Sequence, residues 1–157
     1  MRGLALAAAA LAVSACAPPA PGGAPAPEQR VSGRVAVVGS APVGMRTTIQ
    51  TDDGRSIAVE GPAAEELRAL SGARVEVDGR AEGGIVRAEG YRILEVDGRP
   101  VWMGTVEAAP GGGLQLRLAD GTAVRLGGGA DRLRAGQKVW VQGPSQVQVQ
   151  TFGVIVQ

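Results

Sequence analysis

The sequence predicts a mainly β protein in which one small unit is built twice. Three observations predict it. From Val31 onward apolar and polar residues alternate, which is the two-residue period of a strand buried on one face. Gly and Asp-Gly interrupt that alternation at short intervals, as strand-joining turns require. The order of segments between residues 30 and 99 then recurs between residues 101 and 157.

The elements of the first unit follow in order. Val31 to Val38 reads as a strand containing Gly33, Thr47 to Asp52 as a second, and Asp53-Gly54 as the hairpin turn into a third, Arg55 to Glu60. The period then changes. Pro62 stands at a first helical position, Glu65 and Glu66 fall in or near the first turn, Leu67 and Leu70 share a face, and Gly72 is the stop. Arg74 to Gly79 is a fourth strand with Val75 and Val77 on one side, and Ile85 to Val96 a fifth, bent at Gly90.

The second unit repeats this order. Gly104-Thr105-Val106 matches Gly33-Arg34-Val35, and Leu116 to Gly121 matches Ile49 to Gly54. Val124 and Leu126 match Ile57 and Val59, and Asp131 to Ala135 is a shortened helix carrying Leu133. Gly136 to Gly143 matches Gly72 to Gly79, and Val147 to Val156 closes the unit. Three strands, a short helix and two strands resembles the OB-fold, a small closed Greek-key barrel. The resemblance rests on element order and on the glycine of strand one, and it implies two tandem barrels with a short helix between strands 3 and 4 of each. The short helix of the second unit leaves an SH3-like barrel open there. A single irregular ten-stranded barrel is the alternative for the whole.

The N-terminus has a different character. Residues 1 to 15 read as a signal peptide: Arg2 is the charged start, and Leu4 to Val13 is an uncharged apolar run too short to span a bilayer, which takes about 20 residues. The run ends in Val13-Ser14-Ala15-Cys16, which resembles the bacterial lipobox. That resemblance implies cleavage before Cys16 and a lipid on its thiol, so that the chain is held on a membrane. Ala17 after the cysteine implies, by the same resemblance, the outer membrane of the bacterial envelope, facing the periplasm. Cleavage after Ala17, as in ordinary secretion, would fall directly before Pro18. Residues 16 to 29 carry Pro18, Pro19, Pro21, Pro25 and Pro27 and read as a tether, with a reach of roughly 40 Å at the polyproline rise.

Composition excludes much chemistry. There is no histidine, and Cys16 is the only cysteine, so imidazole or thiolate catalysis, a His/Cys metal site and an intrachain disulfide are all absent. Sixteen basic residues face fifteen acidic ones, and loss of Arg2 with the leader leaves fifteen against fifteen. A neutral, finely mixed chain with only Tyr91, Trp102, Trp140 and Phe152 as aromatics does not fit a nucleic-acid surface. Lys138 is the only lysine.

Local candidates reduce to structure. The four Asp-Gly pairs lack the acidic spacing of a calcium loop and read as turns at strand ends. Glu65 and Glu66 are consecutive on a helix, point apart, and read as charges near its N-terminus. Gly111 to Gly113 and Gly127 to Gly129 lack the Lys and Ser/Thr of a phosphate loop and read as connections. Arg74, Arg80, Arg87 and Arg92, with Arg55, could form a basic stripe, but interleaved Glu and Asp favour cross-strand ion pairs.

Trp140 is the most informative residue. It stands where the first unit has Glu76, between Val139 and Val141, so inward valines send it outward. It covers either the first unit or a partner, and Trp102, after the junction, reads as interdomain packing. The expectation is a non-catalytic envelope lipoprotein without metal or cofactor, an interaction module for an envelope protein or polymer. The alternative is a periplasmic module for an oligosaccharide or small ligand. Trp140, Tyr91 and Arg55 are its candidate binding surface.

Overall fold

A computed structural model describes residues 28–40, 44–143 and 148–157. The chain is mainly β with two main sheets. The first unit comprises β1 (Glu28–Val38), β2 (Arg46–Gln50), β3 (Ser56–Glu60), α1 (Pro62–Arg68), β4 (Arg74–Glu82), β5 (Ile85–Val96) and β6 (Arg99–Pro100). The second comprises β7 (Trp102–Ala108), β8 (Leu114–Leu118), β9 (Ala123–Arg125), β10 (Gly127–Gly128), a 3-10 turn (Gly129–Arg132), β11 (Lys138–Gln142), β12 (Gln148–Val149) and β13 (Thr151–Val156).

Six strands form the first sheet in the order β3-β2-β1-β4-β5-β6. Residues 58–60 of β3 also run parallel to residues 85–87 of β5, so the pairing of β1 to β5 passes around the unit and returns to its start. The second sheet has the order β13-β11-β7-β8-β9, and β10 pairs in parallel with β12. That short parallel pair occupies the place of the β3–β5 pair, between the end of a third strand and the start of a fifth.

The repeat holds down to single hydrogen bonds. Val35 accepts from Gly72 N–H and donates to Ala73 C=O; Val106 accepts from Gly136 N–H and donates to Gln137 C=O. Gly33 stands opposite Val75 and Gly104 opposite Val139. Both glycines are there for a close approach: a Cβ on Gly33 would lie 2.3 Å from Gln50 O, and one on Gly104 2.2 Å from Arg117 O. Even the β-bulge recurs, between Arg74 and Val75 in one unit and between Lys138 and Val139 in the other.

Each unit has its own core. Val35, Ile49, Leu67, Val75, Val77 and Val86 are buried in the first, with Leu70 in the turn after α1. Val106, Leu116, Leu133, Val139 and Val141 are buried in the second. The predicted inward valines therefore do point inward, and burial of each contributes about 1.5 kcal/mol or more.

Three local expectations need correction. Asp78-Gly79 is no turn; it lies inside β4, at a register shift opposite Gly90, where a Cβ on Gly79 would lie 2.2 Å from Arg87 O. The turn between β4 and β5 is Gly83-Gly84. Gly127 to Gly129 is not a loose connection, because Gly127 and Gly128 pair with β12 and Gly129 opens the 3-10 turn. The shortened helix expected over Asp131 to Ala135 is that turn, and it lies a little earlier in the chain.

Candidate functional site

The two units meet through residues that the sequence presents as unrelated. Helix α1 buries Ala63 and Leu67, while Glu65 pairs along the helix with Arg68 at 3.3 Å. Glu66, one step from Leu67, faces the second unit instead. Its carboxylate accepts a hydrogen bond from the Tyr91 hydroxyl at 2.7 Å and one from the Lys138 ammonium. Lys138 also lies over the Tyr91 ring, 4.8 Å from its centroid. The only lysine of the chain is thus held by a carboxylate from α1 and an aromatic face from β5.

These contacts set the electrostatics. Burial alone would raise the Glu66 carboxyl, but the Lys138 ammonium and the Tyr91 hydroxyl outweigh it and hold the carboxyl below its ordinary value. Burial, and then the hydrogen bond to Glu66, pushes the Tyr91 phenol well above its ordinary range. Both groups therefore keep their paired form, carboxylate and phenol, across neutral pH.

An apolar plate lies beside this cluster. Met103 of β7, Trp140 of β11 and Ile155 of β13 belong to the second unit, yet all three pack against the core of the first. Met103 and Gly153 flank Trp140 across the strands. Gly153 leaves room for the indole: a Cβ there would lie 2.4 Å from Trp140 Nε1. Buried Gln142 adds a polar stitch, donating to the carbonyls of Val96 at 2.7 Å and Arg99 at 3.2 Å.

Next to this contact is a cleft of about 430 Å³. Pro62, Ala63, Glu66, Glu89 and Tyr91 line it from the first unit, and Met103, Thr105, Arg117, Leu118, Ala119 and Lys138 from the second. Its charged groups are paired. Arg117 donates to Glu107 at 2.9 Å and Glu89 meets Arg80 at 3.3 Å. The arrangement offers an apolar wall with a neutral, hydrogen-bonding rim. Among the described residues no group of three or more acidic, histidine or cysteine side chains could hold a metal.

The predicted surface residues divide two and one. Trp140 is half-buried on the first unit, and Tyr91 is half-buried beneath Lys138. Arg55 is elsewhere, in the β2–β3 turn, where its guanidinium meets Asp53 at 2.7 Å. Arg55 therefore lies apart from Tyr91 and Trp140, which both pack against the first core. Trp102, expected between the units, packs on the core of its own unit; its neighbours Val101 and Met103 reach the first. Cys16 lies outside the described residues. Two of the five arginines pair across strands, Arg92 with Glu76 at 2.9 Å and Arg80 with Glu89 at 3.3 Å; Arg74 instead reaches Asp52, and Arg55 pairs within its own turn.

Glu66, Lys138, Gln142 and the cleft were not anticipated. One signal was available: a single lysine in a chain otherwise supplied with arginine. No protein family, curated protein or solved structure matches this chain.

Proposed function

We propose that this chain is a non-catalytic lipoprotein of the bacterial cell envelope, anchored through Cys16, whose cleft between two OB-like barrels receives an envelope protein or polymer. The observation that carries the reading is the cleft itself, lined by both units, with Tyr91 and Lys138 among its lining residues. Clefts between domains, apolar with a few fixed polar groups, are where binding sites concentrate. The barrel reading draws support from the parallel β3–β5 and β10–β12 pairs, which bring each unit's pairing round on itself. The anchor reading rests on Val13-Ser14-Ala15-Cys16 after an apolar run.

The test is extraction in detergent with the wild-type chain and with Ala119→Arg, which projects a guanidinium into the cleft from an exposed turn. A companion in stoichiometric amount should come with the wild type and be lost with the variant. Recovery of the lipoprotein alone from both would contradict the proposal.

A second reading is a site for an oligosaccharide or small ligand. It is favoured by the Tyr91 ring among paired polar groups on a concave wall. Envelope glycans should then quench tryptophan emission in the wild type and not in Ala119→Arg. A flat response across such glycans removes it.

A further inference from the structure

The contact between the units leaves hydrogen-bonding capacity unused. Both donors that reach Glu66, the Tyr91 hydroxyl and the Lys138 ammonium, go to the same oxygen, Oε2. Among the described residues nothing donates to Oε1. Glu66 is half-buried, yet no buried side-chain oxygen or nitrogen of the described residues lacks a partner. Oε1 therefore opens on solvent, in the cleft that Glu66 lines. An ammonium has three N–H groups, and the hydrogen bond of Lys138 to Glu66 uses one of them. A free acceptor and a free donor thus stand side by side on the cleft wall, each fixed by the other.

The charges of the cleft cancel in pairs: Lys138 with Glu66, Arg117 with Glu107, Arg80 with Glu89. A charged guest would break one of these pairs or stand unbalanced beside them, and a neutral guest does neither. The guest must also give a hydrogen to Oε1 and accept one from Nζ at neighbouring points. Adjacent hydroxyls of a sugar do both, since each is donor and acceptor. A trans peptide group does not, because its N–H and C=O point to opposite sides. Nor does β5 offer an extended peptide a regular edge. Gly79 stands opposite Ala88 and Asp78 opposite Gly90, which leaves Glu89 as a bulge.

We propose that Glu66 Oε1 and Lys138 Nζ bind adjacent hydroxyls of a neutral glycan, with Pro62, Ala63, Met103 and Leu118 as the apolar wall against the sugar ring. This assignment rests on the cleft as the binding site and names the class of polymer it takes.

The experiment titrates the full chain, in detergent, by calorimetry. The neutral probes are cellohexaose, maltohexaose and the N-acetylglucosamine hexamer; the galacturonic acid and glucosamine hexamers are the acidic and basic ones. At least one neutral hexamer should bind, and both charged ones should bind about tenfold or more weakly than it. That comparison is made on the wild type and does not depend on a variant folding. Glu66→Gln keeps an oxygen for Tyr91 and Lys138 but puts an NH2 donor in place of Oε1, and should weaken the neutral hexamer about tenfold or more. Glu65→Gln, exposed on the same helix and outside the cleft, should bind as the wild type does. Equal binding of neutral and charged hexamers, or undiminished binding by Glu66→Gln, would overturn the proposal. No binding of any neutral hexamer, with a protein companion still lost in Ala119→Arg, would overturn the sugar and leave the cleft. No hexamer bound and no companion recovered would remove both.

Discussion

Glu76 and Trp140 occupy the same slot in the two units. Each lies between inward valines, Val75 and Val77 in one case, Val139 and Val141 in the other, and each points outward. Their cross-strand neighbours differ. Glu76 stands between Ser32 and Arg92, and its carboxylate meets Arg92 at 2.9 Å and Arg30 at 3.4 Å. Trp140 stands between Met103 and Gly153. One backbone thus presents, in the first unit, a half-buried carboxylate capped by exposed arginines and, in the second, an apolar plate. The plate is the face that is covered. The same strand order and backbone bonds occur in both units, and the outward residues distinguish the face that is covered from the one that is not.

Exchanging the two residues tests that asymmetry. Trp140→Glu removes the indole and puts a carboxylate against the first core, and should cost about 3 kcal/mol or more. Unfolding should then separate into two transitions by urea titration, one for each unit. Persistence of a single unshifted transition would show that the plate does not couple the units.

The polar half of the contact should have a smaller effect. Lys138→Met should cost about 1 to 2 kcal/mol, because the pair with Glu66 is only partly shielded from solvent. Its pH dependence has a definite sign. The Glu66 carboxyl is lowered from its ordinary 4.5, so its stabilising share is present above that value and lost as pH falls through the folded value. In Lys138→Met the largest lowering influence is gone and burial dominates, so the Glu66 carboxyl moves above its unfolded value; its contribution then reverses sign, and acidification should relieve a penalty in the variant where it removes stability from the wild type. Urea midpoints followed from neutral to acid pH would read this; parallel curves for wild type and variant would contradict it.

The reciprocal exchange, Glu76→Trp, should have the smallest effect, about 1 kcal/mol or less, since it breaks ion pairs with arginines that are mostly exposed. An effect equal to that of Trp140→Glu would remove the asymmetry.

The parts of this arrangement legible in the sequence are the local ones. Alternation around Val75 and Val139 reports strand faces, and Pro62 with Leu67 and Leu70 reports a helix, because both are short-range periodicities. Trp140 could be assigned outward from the same alternation. What covers it could not, since that depends on how two separately folded sheets abut. Asp78-Gly79 misled because the dipeptide that favours a turn also serves a bulge, where Gly79 permits β5 to approach. Glu66, Tyr91 and Lys138 are far apart in sequence, and no spacing rule joins them. Arg55 belongs to the candidate surface on sequence, but its partner Asp53 is two residues away in the same turn.

Lys138 of the second unit and Glu66 of the first are in direct contact. A zero-length carbodiimide joins a carboxylate to an amine only when they touch, and Lys138 offers the single lysine amine. Peptide mass mapping of the treated chain should find an amide between Lys138 and Glu66, formed within the monomer fraction. A lysine left unmodified, or joined to a carboxylate remote from α1, would contradict the account.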